Sequence, residues 1–184
     1  PISDEHMSEY VGAYAQRMAW LTGFGGSAGT AAVLPTKAAV FVDGRYTVQV
    51  RDQVDGSLFD YVGVPQSSVA EWLGANVSAG QKVGYDPWLH SIDWARGLEK
   101  ALAAKGASLI AVDGNPIDAA WDDQPAPSDA ASRSRRAGAP SRTSTRSAAP
   151  PRTKAFARVA VRSPNNATTT ATTTRPRGDS ASEA

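Results

Sequence analysis

Residues 20–46 read WLTGFGGSAGTAAVLPTKAAVFVDGRY, and this stretch decides the fold. It joins a glycine-rich loop, two short β-prone runs and a polar turn. The runs cover residues 30–34 and 38–43, and the turn signal Pro35-Thr36-Lys37 between them predicts an antiparallel hairpin. The second run is apolar without alternation, which is typical of a strand covered on both faces.

Hydrophobic spacing extends this pattern along the chain. It predicts helices over residues 11–21 and 46–54, from Ser68 to Gly74 and from Ser91 to Gly106, with further strands over 57–64, 81–85 and 107–112. Asn115-Pro116 then predicts a short helical turn through Trp121. Because strands alternate with helices after the hairpin, we predict an α/β fold, a mixed β-sheet with helices on both faces.

The composition divides the chain into two parts. Residues 1–124 carry 8 Lys/Arg and 15 Asp/Glu and hold all five Trp and all five Tyr. Residues 125–184 carry 11 Lys/Arg and 3 Asp/Glu, and their only aromatic residue is Phe156. A segment so poor in large apolar side chains buries too little surface to offset the entropy of ordering. We therefore predict one acidic globular domain, 1–124, followed by a disordered low-complexity basic tail, 125–184.

The same composition excludes several functional classes. The chain has no cysteine, so disulfides and thiolate metal sites are impossible. No run of eighteen apolar residues predicts a membrane-spanning helix, and no membrane partner is expected. The first residues, Pro1-Ile2-Ser3, show no export signal, so we expect a cytoplasmic protein. Nucleic-acid binding through the tail is disfavoured, because its arginines are dispersed and it nearly lacks aromatic residues for base stacking.

The glycine-rich loop, residues 22–29, invites comparison with phosphate-binding loops. Such loops direct backbone N–H groups and a helix N-terminus at the anion. This loop instead precedes a predicted strand, and no Gly-Lys-Ser/Thr follows it. We therefore interpret its glycines as residues that permit a tight entry into the first strand.

Asp43, Arg45 and Tyr46 form the candidate site, because they follow directly on the end of the predicted buried strand. Side chains at strand ends in α/β sheets often face a crevice, and an arginine there offers a planar fork to a carboxylate. An ion pair of Arg45 with Asp43 or Asp52 is the structural alternative.

One cluster near the start of the chain resembles metal ligands: His6 with Asp4, Glu5 and Glu9. Its spacing does not match a helical i, i+4 pair of ligands, and the other imidazole, His90, is distant in sequence. We interpret the cluster as a solvated acidic loop and predict no metal ligands in this chain. No Ser/His/Asp arrangement is supported either, so no catalytic residue is assigned.

Five ordered blocks resemble one enzyme family. They are DEHMSEY (4–10), WLTGFGGSAGTAAV (20–33), FVDGRYTVQVRDQVD (41–55), VGYDPWLHS (83–91) and NPIDAAWDDQPAP (115–127). Together they are similar to the amino-terminal domain of Xaa-Pro aminopeptidases, in the aminopeptidase P and creatinase family of metallohydrolases. The resemblance covers roughly residues 1–127, and it implies a further helix and first strand ahead of the position of Pro1.

The resemblance implies that this domain is not the catalytic one. In the family, a following pita-bread domain cleaves the peptide with two divalent metals, usually manganese, held by two Asp, one His and two Glu. The amino-terminal domain borders the substrate entrance and takes part in contacts of a homo-oligomer. Arg45 matches an arginine that in relatives points toward the cleft, so the implied partner of Asp43, Arg45 and Tyr46 is a proline-containing peptide.

The chain departs from the family after Pro127. Residues 128–184 hold no His and a single Glu, Glu183, so they cannot supply the family's metal ligands. We hypothesise that this part is a frameshifted or truncated continuation of a longer aminopeptidase gene, and that the chain alone is inactive. The alternative is a stand-alone, non-enzymatic module that binds peptides or proteins.

Overall fold

A computed structural model describes residues 1–127, so the predicted basic tail lies almost entirely outside the described residues. The helices are α1 (Arg17–Thr22), α2 (Thr47–Gln53), α3 (Val69–Asn76) and α4 (Ile92–Ala103), and the strands are β1 (Thr30–Val33), β2 (Ala38–Asp43), β3 (Asp60–Val64), β4 (Lys82–Tyr85) and β5 (Ser108–Ala111). Short 3-10 turns, Ala13–Ala15 and Gly44–Tyr46, precede α1 and α2. Within this part of the chain, no helix has the length and apolar content that crossing a bilayer requires.

Strand β2 is the centre of a three-stranded mixed sheet. It pairs antiparallel with β1, with Thr30 opposite Phe41, and parallel with β3, with Asp43 opposite Val64. Strands β4 and β5 form a separate parallel pair. The predicted α/β class and the mixed sheet are confirmed. The five strands nevertheless fall into two sheets, because no described strand lies between β1 and β4.

Two apolar clusters cover the two faces of β2. Val40 and Val42 pack with side chains of α1 and α2, whereas Ala39 and Phe41 pack with side chains of α3 and α4. Each residue from 38 to 42 is at most 3% exposed. Since alternate side chains of a strand point to opposite faces, this burial requires helices on both sides of the sheet, as predicted.

The predicted helix start and stop signals have direct physical counterparts. Gly23 ends α1 in the left-handed conformation, with φ at 81°. Ser68 and Glu71 form a reciprocal capping box at the start of α3. The Ser91 Oγ accepts the backbone N–H of Trp94 and so caps α4.

Several boundaries differ from the sequence prediction, and α3 runs through Gly74, its predicted end, to Asn76. Helix α1 begins at Arg17 rather than at residue 11, because Gln16 leaves the helical conformation between a 3-10 turn and the helix. Strand β3 begins at Asp60 rather than at residue 57. The carbonyl of Asp55 accepts the N–H groups of Leu58 and Phe59, so the preceding residues form a turn instead of extended chain.

The segment after β5 closes over α1. The guanidinium of Arg17 donates to both carboxylate oxygens of Asp118, at 2.7 and 2.9 Å. The indole rings of Trp20 and Trp121 stack beside this pair, with centroids 5.6 Å apart. The end of the described chain is therefore fastened to its beginning by one bidentate ion pair and one aromatic stack.

Candidate functional site

Asp43 stands where two parallel strands end together. Asp43 of β2 lies opposite Val64 of β3, so the carboxyl ends of both strands meet at one edge of the sheet. The chain then turns at once, because the Asp43 Oδ1 accepts the backbone N–H of Arg45 at 2.9 Å and caps the 3-10 turn. An N-terminal cap of this kind satisfies a donor that the turn leaves unpaired, and it holds Arg45 in place.

The guanidinium of Arg45 forms a bidentate ion pair with Asp43. Its Nη2 lies 2.8 Å from Oδ2 and its Nε lies 3.0 Å from Oδ1. The guanidinium carbon also sits 5.2 Å from the centre of the Tyr46 ring. The side chain of Arg45 is nevertheless 67% exposed, because the pair uses only one edge of the guanidinium. The ion pair considered from sequence is formed, and the outer edge remains open to solvent.

Tyr46 joins the turn to the glycine-rich loop. Its hydroxyl lies 2.9 Å from the Ser27 Oγ and accepts the Ser27 backbone N–H at 3.3 Å. Its ring meets the Phe24 ring edge to face, with centroids 5.6 Å apart. The three predicted site residues are thus brought together, and the loop contacts them through Tyr46.

Two glycines of the loop, Gly26 and Gly29, are needed for close packing. A Cβ on Gly26 would overlap the Phe24 ring and lie 3.0 Å from the Tyr46 ring. A Cβ on Gly29 would lie 2.9 Å from the Met18 Cε. These contacts agree with the interpretation of the loop as a tight entry into β1.

A groove of about 530 Å³ opens at the same edge of the sheet. Asp43 and Val64 line it from the strand ends, and Ser68, Asp93 and Trp94 line it from the starts of α3 and α4. Sequence reasoning missed these three residues. The position of Ser68 could have been predicted. Only four residues separate α3 from β3, so the helix has to begin near the carboxyl end of that strand.

Pairing with Arg45 controls the ionisation of Asp43. Hydrogen bonds from the Arg45 side chain, and then from its backbone N–H, hold the pKa of Asp43 below its usual range. The same side-chain contact raises the pKa of Arg45. Both groups are therefore charged at neutral pH, and the turn as a whole is close to neutral.

The acidic segment around His6 forms a hydrogen-bonded turn. The Asp4 Oδ1 accepts the backbone N–H groups of His6 and Ser8, both at 3.0 Å. Asp4 is only 6% exposed, so the expectation of a fully solvated loop is wrong for this residue, whose carboxylate is buried because two backbone donors satisfy it. Within residues 1–127 no group of three or more His, Asp or Glu is arranged to hold a metal.

Comparison with known proteins assigns the family. The model of the Creatinase/Prolidase N-terminal domain matches residues 4–119. The chain therefore belongs to this family. The resemblance to Xaa-Pro aminopeptidases is confirmed by relatives, since human Xaa-Pro aminopeptidase 2 is 39% identical over 127 residues, which is 69% of this chain and 19% of that protein. A probable Xaa-Pro aminopeptidase P of Aspergillus clavatus is 41% identical over 130 residues, covering 69% of this chain and 20% of that protein.

A solved structure supports the same assignment. The chain is similar to an X-prolyl aminopeptidase from Caenorhabditis elegans, with a TM-score of 0.65 and 33% identity over 68% of this chain and 21% of that one. That protein is described as a cytosolic enzyme with a di-nuclear active site. This creatinase-family chain spans about a fifth of the length of the curated relatives it matches.

Residues 1–127 do not fit a di-nuclear metal site. The described part brings no three potential ligands together, and residues 128–184 contain no His and one Glu. The described residues therefore do not assemble the oxygen and imidazole ligands that two catalytic metals need.

Gly26 and Gly44 both lie near the site, but only Gly26 is closely packed, and alanine substitution at each position tests this difference. We expect Gly26→Ala to cost about 1–3 kcal/mol of unfolding free energy, because the new methyl group displaces the rings of Phe24 and Tyr46. Gly44→Ala is the matched control, since a Cβ there meets no atom within 4 Å, and we expect a change within about 0.5 kcal/mol. Urea unfolding measures both, and equal effects would contradict the packing argument.

The Asp43–Arg45 pair predicts a pH dependence. Because the folded-state pKa of Asp43 lies below its unfolded value, the pair stabilises the fold above the unfolded pKa, about 3.9, and this stability is lost as pH falls through the folded pKa. Arg45→Ala should move the Asp43 pKa upward and remove this contribution. Carboxyl ¹³C titration by NMR measures the shift, with Arg96→Ala as the charge-matched control on the exposed side of α4. An unchanged Asp43 pKa in Arg45→Ala would refute the assignment.

Proposed function

We propose that this chain is the amino-terminal domain of an Xaa-Pro aminopeptidase, a domain that borders the substrate cleft without supplying the catalytic metals. The observation that carries the proposal is the exposed guanidinium of Arg45, which is paired with Asp43, a residue that lines an open groove at the carboxyl ends of two parallel strands. In α/β sheets this edge is where ligands bind. The similarity to full-length Xaa-Pro aminopeptidases supports the same conclusion.

The charge state of the site favours one kind of peptide contact. Asp43 already neutralises Arg45, and a ligand carboxylate placed there would meet the Asp43 carboxylate at close range. A peptide carbonyl carries no net charge, yet it accepts the N–H groups on the outer edge of the guanidinium. The proposed role of Arg45 is therefore to hold the backbone carbonyl of a proline-containing peptide, with Asp43 and Tyr46 fixing its direction.

Exposed apolar side chains support the proposed contacts with another domain or subunit. Trp88, four residues before α4, is 76% exposed, and Ile92, the first residue of α4, is 69% exposed. Large apolar groups exposed on a surface are typical of protein–protein contacts. In the full enzyme we assign this surface to the catalytic domain or to the oligomer interface.

The purified chain should not hydrolyse peptides. Residues 1–127 do not form a di-nuclear site, so a residue–proline peptide with added Mn²⁺ should show no turnover above the rate in buffer with the metal alone. Release of the N-terminal amino acid measures this, with a full-length Xaa-Pro aminopeptidase as the positive control. Robust turnover that a chelator abolishes would overturn the proposal that this domain is non-catalytic.

Arg45 should contact the peptide even in the isolated chain. We expect weak, saturable ¹H–¹⁵N shift changes at Arg45 and at groove residues when a peptide with proline at its second position is added. Arg45→Ala should weaken this binding by roughly tenfold, because it removes a hydrogen bond from a charged donor. Arg96→Ala, which removes the same charge from the exposed side of α4, should leave it unchanged.

The strength of binding separates the two interpretations of the chain. Micromolar affinity of the isolated chain would favour the stand-alone binding module over a domain of a larger enzyme, since a single open site is expected to bind only weakly. Equal loss of binding in Arg45→Ala and Arg96→Ala would contradict a specific role for Arg45.

A further inference from the structure

Three Asp-Gly pairs occur in the chain, and their surroundings differ. They are Asp43-Gly44, Asp55-Gly56 and Asp113-Gly114. In such a pair the side-chain carboxyl carbon can reach the backbone nitrogen of the following residue, and glycine has no side chain to hinder the approach. Bonding of that nitrogen to the carboxyl carbon closes a five-membered succinimide ring. Each pair is therefore a candidate site for the spontaneous conversion of aspartate to isoaspartate.

The conversion is intramolecular and needs only water. As the new C–N bond forms, the amide proton of glycine and the hydroxyl of the carboxyl group leave together as water. A second water molecule then opens the ring. Addition at the side-chain carbonyl restores aspartate, whereas addition at the main-chain carbonyl leaves the backbone running through the side-chain carbonyl, which is isoaspartate. The main chain thereby gains one methylene group, and the α-carboxylate becomes a side group.

Hydrogen bonds protect Asp43 from this reaction. Its Oδ1 accepts the backbone N–H of Arg45 at 2.9 Å and the Nε–H at 3.0 Å, and its Oδ2 accepts the Nη2–H at 2.8 Å. The carboxylate can turn toward Gly44 only after these bonds break. The side chain of Arg45 also holds the pKa of Asp43 below its usual range, which lowers the fraction of the neutral carboxyl group that closes the ring.

Asp55 is held in a similar way. Its Oδ1 accepts the backbone N–H of Ser57 at 2.9 Å and the Oγ–H of the same residue at 2.7 Å. The main-chain carbonyl of Asp55 accepts the N–H groups of Leu58 and Phe59, so the backbone is fixed in a turn. Ring closure at Asp55 has to disrupt the side-chain bonds and the turn together.

Asp113 differs from both. Among residues 1–127, neither its carboxylate nor the backbone N–H of Gly114 takes part in a hydrogen bond. Both residues are exposed, and both line a cavity of about 570 Å³ that gives water access to the pair. Gly114 also has a φ of 80°, a left-handed conformation that glycine adopts without strain. Within the described part of the chain, no hydrogen bond has to break before the ring closes here.

We propose that Asp113-Gly114 is a modification site at which the folded chain forms isoaspartate, while the other two Asp-Gly pairs remain intact. The same hydrogen bonds that hold Arg45 in the candidate site protect Asp43 from this change. A free carboxylate, a free amide and access to water coincide only at Asp113 among the three pairs. The product exposes an α-carboxylate, which is the group that isoaspartate-specific methyltransferases esterify with S-adenosylmethionine.

The change affects the segment that closes over α1. Asn115 follows the pair directly, its Oδ1 accepts the backbone N–H of Ile117 at 2.9 Å, and its Nδ2 donates to Asp86 Oδ2 at 2.8 Å. An extra methylene group just before Asn115 displaces it from at least one of these partners, because hydrogen bonds weaken steeply with distance and angle. Isoaspartate at residue 113 therefore loosens residues 115–121 and leaves the three-stranded sheet intact.

Ageing of the full chain at neutral pH tests this proposal. An endoprotease that cleaves before aspartate but not before isoaspartate, followed by mass spectrometry, reports on Asp43, Asp55 and Asp113 separately. We expect isoaspartate to form at residue 113 roughly tenfold faster or more than at the other two, where hydrogen bonds to the carboxylate have to break first. In guanidinium chloride, which removes these bonds, the three rates should become similar. Equal rates at the three sites in the folded chain would overturn the proposal.

Matched variants assign the product to one residue. Glutamate has to close a six-membered ring, which forms far more slowly, so Asp113→Glu should remove most of the isoaspartate from the folded chain, whereas Asp55→Glu should remove almost none. Methyl transfer from S-adenosylmethionine by an isoaspartate methyltransferase measures the total. Arg45→Ala should raise the rate at Asp43 several-fold, because it removes the side-chain donors. An unchanged rate at Asp43 would contradict protection by these hydrogen bonds.

Amide hydrogen exchange in the aged chain tests the structural consequence. The N–H of Ile117, which donates to Asn115, should exchange roughly tenfold faster or more in the isoaspartate form than in fresh protein. Val40, in the centre of β2, should exchange at the same slow rate in both forms and so shows that the fold is retained. A folded chain with a protected Val40 amide and no isoaspartate at residue 113 would also overturn the proposal.

Discussion

The burial of β2 on both faces is the constraint on which the rest of the structure depends. Five consecutive residues, 38–42, are apolar and almost inaccessible to solvent, so helices have to cover both sides of this strand. The two clusters follow from this requirement, because Val40 faces α1 and α2 while Phe41 faces α3 and α4. A strand in this position also has partners on both edges, and β1 and β3 supply them.

The candidate site exists because the apolar run ends at Asp43. The next two residues, Gly44 and Arg45, offer no apolar side chain to continue the strand, and the carboxylate of Asp43 accepts the backbone N–H of Arg45 instead. That local hydrogen bond brings Arg45 within reach of the same carboxylate. The position of the guanidinium is therefore set by a residue two positions away in sequence. The rest of the site depends on distant elements: the loop holds Tyr46, and the first turns of α3 and α4 line the groove beside Asp43.

This division explains how much the sequence could predict. The hairpin, the glycine stop of α1 and the serine caps of α3 and α4 depend on neighbouring residues, and sequence reasoning located each of them. The groove lining at Asp93 and Trp94 depends on how α4 packs, which no local pattern encodes. The bond between Arg17 and Asp118 joins residues 101 positions apart, so charge alone could not identify the pair.

The division into two sheets could not be predicted from the sequence either, because composition identifies a strand but not the strands with which it pairs. The central position of β2 leaves the other edge of β1 without a partner strand among residues 1–127, and a two-stranded pair such as β4–β5 contributes little stability by itself. The second cluster therefore has to hold this pair beside the three-stranded sheet. Val83 of β4 and Leu109 of β5 pack against that cluster, which also contains Phe41 of β2, so the two sheets share one apolar layer with α3 and α4 although no hydrogen-bonded ladder joins them.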